Sequence, residues 1–198
     1  DNTRALLDRL ARSGSAIFDE PTPVSMNAHA AVMPLSGSRD RDFGRSSADA
    51  LAAVLGQVRE GDYIAITAYL PMFPRYDQVL ARIRTKLRDA LHVSTTVGFG
   101  PRFLHSTGQL HKGGPPTGVF LQLTADPHER VEIPGMVDFG TLQRAQALGD
   151  FESLDKRSRR GLRLHLRGDV ATALSRLEAA IDDSLASLHL TGVNNKGS

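Results

Sequence analysis

Apolar positions along the chain follow two alternating periods. Tyr63-Ile64-Ala65-Ile66-Thr67-Ala68-Tyr69-Leu70 is almost continuously β-branched, aromatic or small, the composition of a strand buried on both faces. Gly61-Asp62 supplies the turn before it, and Pro71 and Pro74 bracket the loop after it. Val79, Ile83, Leu87 and Leu91 then repeat at helical spacing with Arg and Lys on the far side, which predicts an amphipathic helix. Val93 to Val97 and Val119 to Leu123 read as a second and a third strand. Leu162-Arg163-Leu164-His165-Leu166 reads as a fourth, and its alternation predicts one solvated face at an edge of the sheet.

Further helices are predicted in three places. One is capped by Ser46 or Ser47, with Ala50, Ala53, Val54 and Val58 inward. Another stretch carries a helix with Leu142, Ala145 and Leu148, followed by a second helix around Phe151 and Leu154. The last opens at Gly168-Asp169 and carries Val170, Ala173, Leu174, Leu177, Ile181, Leu185 and Leu188 inward. Asn2 and Thr3 can cap a short first helix bearing Leu6, Leu7 and Leu10. Residues 19–47 are rich in Pro, Gly and Ser with little periodicity, so residues 1–45 read as an N-terminal arm or linker, partly irregular. Residues 46–190 form the domain, and 191–198 a polar, disordered tail. Strands alternating with helices predict an α/β fold with a parallel sheet covered on both faces. Ligands bind such sheets beyond the carboxyl ends of the strands, here leading into 70–75, 98–118 and 125–139.

Composition excludes several classes of chemistry. The chain has 198 residues and no cysteine, which removes disulfides, thiolate zinc sites and a cysteine nucleophile. Its formal net charge is +2, with both signs interspersed. Without a basic run interleaved with aromatics, no nucleic-acid partner is expected. No apolar run reaches the roughly 18 residues of a membrane span, so no membrane partner is expected and a cytoplasmic protein is. Asp1 in place of an initiator Met fits a chain that begins inside a longer one.

The connection from Gly98 to Pro115 carries the most chemistry. From Arg102 onward it packs two His, one Arg, one Lys, Ser, Thr and Gln into 14 residues. Those side chains can donate to phosphate oxygens and sugar hydroxyls, and the glycines let backbone amides approach a ligand. His105 and His111 are six apart and share no helix face, and no carboxylate lies near them in sequence, so no metal site is expected. Gly98-Phe99-Gly100 lacks the third glycine of a dinucleotide fingerprint.

Gly-Phe-Gly-Pro-Arg-Phe-Leu-His-Ser-Thr-Gly-Gln-Leu-His-Lys-Gly-Gly-Pro, residues 98–115, resembles the signature stretch of the isomerase half of bacterial transaldolase/phosphoglucose isomerase fusions. Flanking pieces resemble the same family: Gly61 to Ala65 and Ala68 to Pro71, Phe139 to Leu142 and Ala145 to Asp150, and Leu162 to Leu166. The resemblance spans about residues 46 to 188. It implies a sugar isomerase (SIS) fold, a flavodoxin-like three-layer α/β/α sandwich. It also implies the C-terminal subdomain of a glucose-6-phosphate isomerase, which interconverts glucose 6-phosphate and fructose 6-phosphate without metal or organic cofactor. Implied partners are the sugar phosphate, an N-terminal SIS subdomain, a transaldolase domain and a second copy in a homodimer. A non-catalytic sugar-phosphate-binding or interaction domain of the same fold is the alternative.

Aldose–ketose isomerisation needs an acid/base for ring opening, a carboxylate for the C2 proton, a cation for the enediolate and a phosphate anchor. The resemblance offers His105 or His111 for ring opening, with Arg102, Ser106, Thr107, Gln109 and Lys112 binding substrate. The family's catalytic Glu has no matched position, and Gln143 and Arg144 stand where its Lys is sought.

Overall fold

All four predicted strands form and lie side by side. The structure, a computed structural model, describes residue 8 and residues 22–102, 107–134 and 138–194, with side chains up to 190. In chain order the strands are β1 (Ser25–Met26), β2 (Ala30–Pro34), β3 (Tyr63–Tyr69), β4 (Ser94–Phe99), β5 (Gly118–Ala125) and β6 (Arg160–Leu166). The helices are α1 (Ser47–Leu55), α2 (Pro74–Leu91), α3 (Thr107–Gly113), α4 (Phe139–Asp155) and α5 (Val170–Asn194). The sheet order is β1-β2-β6-β5-β3-β4. The run β6-β5-β3-β4 is parallel, and β1 and β2 add antiparallel to its β6 side.

Helices cover both faces, giving a three-layer α/β/α sandwich. On one face Ile64, Ile66 and Ala68 of β3, Val119, Leu121 and Leu123 of β5, and Leu162, Leu164 and Leu166 of β6 pack under α1, α2 and α5. The sequence builds that layer economically. Ser46 and Asp49 form a reciprocal capping box that starts α1, and Pro74 occupies the first turn of α2, where its missing N–H costs nothing. Leu80, Ile83 and Leu87 then bury the inner stripe of α2. On the opposite face Phe151 and Leu154 of α4 pack with Met33, Leu35, Ala65 and Phe120.

Three expectations are corrected here. Residues 19–47 are not wholly an irregular arm: Ala30–Pro34 pairs with β6 residue for residue, and Val32, Met33 and Leu35 are among the most buried side chains. The segment is ordered because it completes the sheet on which residues 46–190 are built. Consequently β6 is not an edge strand. It has a neighbour on each side, and the Arg163 side chain, expected in solvent, is buried under α4 beside Thr124. The tail also begins later than expected, because α5 continues to Asn194. The first helix around Leu6 to Leu10 lies outside the described residues apart from Asp8, which is helical. Among the described residues no helix is long and apolar enough to cross a membrane.

Candidate functional site

The two faces of the sheet differ in chemistry. Cross-strand register aligns Thr67 with Gln122 and Gln122 with Arg163, and one step on it aligns Tyr69 with Thr124 and Thr124 with His165. These two polar rows lie on the α4 face, towards the carboxyl ends of β3, β5 and β6. Several of these groups are hydrogen-bonded, as buried polar groups usually are. Gln122 Nε2 donates to the Ala147 carbonyl at 2.9 Å, Arg163 Nε donates to Thr124 Oγ1 at 3.3 Å, and Thr124 Oγ1 meets His165 Nδ1 at 3.0 Å.

Beyond these rows the strand ends open into a cavity of about 930 Å³. The β3–α2 connection gives one wall with Tyr69, Pro71, Phe73, Arg75 and Tyr76. The segment after β5 gives another with Asp126, Pro127, His128 and Glu129. Helix α4 contributes Phe139, Leu142, Gln143 and Gln146, and the turn after β6 contributes Gly168 and Asp169. Three of the connections that the sheet rule singles out therefore border the cavity, at 70–75, at 125–139 and, through Pro101 alone, at 98–118.

Several lining groups are already committed. Asp169 Oδ2 accepts from the Thr172 backbone N–H and hydroxyl, each at 2.8 Å. Those bonds, with the Arg75 charge nearby, hold its carboxyl below the usual range. Asp126 stands 3.5 Å from His165 Nε2. Burial, then the charge and hydrogen bond of Asp150, push the Tyr69 phenol far up, so it stays protonated. The side chains of Glu129, His128, Gln143 and Gln146 make no hydrogen bond to another described residue and remain available to a ligand. The chemistry on offer is aromatic surface, two amides, an imidazole, a carboxylate and one guanidinium. Among the described residues no group of three or more His, Asp and Glu side chains is arranged to hold a metal.

The polar motif residues take other places. Pro101 lines the cavity, whereas Arg102, Thr107 and Gln109 are exposed and do not. His105 and Ser106 lie outside the described residues. Helix α3 carries the motif back over the sheet. His111, expected to face substrate, is buried, with its ring stacked on Tyr63 at 5.6 Å and edge-on to Phe120. Its Nδ1 bonds Tyr63 Oη at 2.9 Å. Lys112, expected to bind phosphate, pairs with buried Asp150 at 2.5 Å. The physical reason is amphipathicity: Gly108 and His111 are the residues α3 turns towards the sheet, and His111 fills the gap between Tyr63 and Phe120. The cavity groups Arg75, His128, Glu129, Gln143 and Gln146 were missed. Arg75, His128 and Glu129 have as their sequence signal a place just after strands, while Gln143 and Gln146 lie on α4 and have no site role in the sequence pattern.

His111 gives a pH prediction. Burial pushes its imidazole down, opposed by Asp150 and assisted by Lys112 and Arg159. The unfolded chain takes up this proton near about pH 6.5, while the folded chain resists it. Protonation therefore favours unfolding: the contribution is intact above that pH and declines as pH falls below it. Urea unfolding at pH 7.5 and 5.5 is expected to show a smaller loss for His111→Gln than for the unsubstituted chain. Equal losses would remove His111 as the cause.

The fold and cavity define an α/β sandwich with a ligand-sized opening at the carboxyl rim of its sheet. No family model matches the chain, and no curated protein matches it. Among solved structures it is similar to a hypothetical protein from Thermus thermophilus, with a TM-score of 0.63 and 18% identity. The match covers 72% of this chain and 39% of that one, and at such identity it is a likeness of fold.

Proposed function

We propose that the chain binds a hexose phosphate in the rim cavity and forms the C-terminal part of a glucose-6-phosphate isomerase. The observation that carries this reading is the cavity itself, at the strand ends where α/β sheets take ligands. The resemblance of residues 98–115 supplies the reaction. Phe73, Tyr76 and Phe139 offer flat apolar surface to a sugar ring, and Gln143 and Gln146 offer amides to its hydroxyls. Glu129 is the carboxylate for proton transfer between C2 and C1, the role for which the motif has no residue. His128 stands next to it in sequence, and His105 follows Pro101 by four positions. These two share the proposal for ring opening. An N-terminal SIS subdomain, a transaldolase domain and a second copy complete the protein in this reading.

The test is calorimetric titration of the full chain with glucose 6-phosphate, followed by an isomerase assay. Saturable binding is expected, with turnover reduced by Glu129→Gln at little change in affinity. Binding without turnover, alone or with an N-terminal SIS subdomain supplied, favours the non-catalytic alternative. Absence of binding removes the sugar-phosphate reading altogether.

A further inference from the structure

Resting on the cavity as a sugar-phosphate site, we propose that Arg75 recognises the phosphate and makes the cavity selective for phosphorylated over unphosphorylated sugars. Arg75 is the one Lys or Arg side chain among the described residues lining the main cavity. Its guanidinium is held in place by its neighbours. It lies 5.3 Å from the centre of the Phe73 ring and 5.0 Å from that of Tyr76, and donates to Tyr76 Oη at 3.3 Å. Stacking on two rings fixes the plane of the fork while leaving most of its N–H groups unspent.

No carboxylate among the described residues pairs with it. Asp169, close enough to feel its charge, is turned to the Thr172 N–H and hydroxyl. A planar, oriented guanidinium with spare donors matches phosphate oxygens in pairs. The rest of the lining sharpens the choice. Asp126, Glu129 and Asp169 are the lining carboxylates and repel a dianion. Asp169 is already engaged by Thr172, so beside Arg75 is the one place where a cation offsets that repulsion, and the hydroxyls of the sugar are left to Glu129, Gln143 and Gln146. The motif cations do not compete: Lys112 is paired with Asp150, and Arg102 does not line the cavity.

The experiment compares the full chain with Arg75→Gln and Arg75→Lys, titrated with glucose 6-phosphate, glucose and inorganic phosphate. Circular dichroism and thermal unfolding check that each variant is folded. Arg75→Gln is expected to weaken glucose 6-phosphate binding roughly 10- to 100-fold and to leave glucose binding unchanged. Arg75→Lys, which keeps the charge but loses the fork, is expected to fall between. Equal affinity for glucose 6-phosphate in the folded Arg75→Gln variant overturns the assignment and leaves the functional reading standing. Inorganic phosphate bound through Arg75 without any binding of glucose 6-phosphate supports the anion site and sinks the sugar-phosphate reading. Binding of neither ligand to the unsubstituted chain overturns both.

Discussion

Gly161→Ala is expected to destabilise the protein by about 4 kcal/mol or more, or to prevent folding, the range reserved for a clash in the core. Gly161 is on β6 opposite Phe120 of β5, in the centre of the sheet. A Cβ there would lie 2.1 Å from the Phe120 carbonyl oxygen and 2.8 Å from its carbon and nitrogen. The backbone φ of +149° is one that side-chain-bearing residues rarely adopt. Relief by movement is blocked on the other side. The Gly161 N–H donates to buried Ser38 Oγ at 3.0 Å, and its carbonyl accepts from Leu35 N–H at 2.9 Å. Shifting β6 away from β5 would therefore drive it into the N-terminal segment hydrogen-bonded on its other side. Gly113→Ala is the control, since a Cβ there meets nothing within 4 Å and it stands at the end of α3. Urea unfolding of both variants gives the comparison. A Gly161→Ala midpoint close to that of Gly113→Ala would mean that β5 and β6 are not paired in this register.

From residue 46 onward the strands and the longer helices were legible because each carries enough apolar residues at one period to exclude the other, whereas α3, a seven-residue helix inside the connection expected to be a loop, was not. Ile64, Ile66 and Ala68 alternate with Ala65, Thr67 and Tyr69, and both sets are buried, as the composition of that run predicts. Ala30–Pro34 was not legible. Five residues preceded by Asn27 and His29 and ending on Pro34 give no window in which period two stands out, and their partner β6 lies more than a hundred residues away. Leu162 to Leu166 misled for a related reason. Alternation with Arg and His is the pattern of a half-solvated strand, but it is also the pattern of a strand that faces a buried polar layer. Arg163 and His165 become informative only when set beside Gln122 and Thr124, their partners in register. A density of polar residues likewise drew attention to 98–115. Density marks chemistry without saying where a helix will point it, and α3 points His111 inward. The cavity residues come from several separate segments, the connections after β3, β5 and β6 together with α4, so the rule about strand ends located more of them than any motif.

Lys112 is where the motif reading and the coordinates make opposite demands on one side chain. If it serves the fold, Lys112→Met is expected to destabilise the protein by about 2–4 kcal/mol, because it leaves Asp150 buried without its counter-charge. The figure sits below the full cost of breaking a buried pair, since 28% of the Lys112 side chain is in solvent and water can partly replace it; the Asp150 side chain is only 5% exposed. The effect reaches the cavity, because Asp150 is also the charged neighbour of the Tyr69 phenol on its floor. Pairing Lys112→Met with Asp150→Asn removes the stranded charge and is expected to recover a large part of the lost stability, a coupling that a double-mutant cycle in urea measures. A ligand-binding Lys112 would behave the other way round. The single variant would unfold at the original urea concentration and lose affinity for glucose 6-phosphate, and Asp150→Asn would restore nothing. That outcome would put the α3 lysine back on the substrate and would require the motif helix to turn its cation outward.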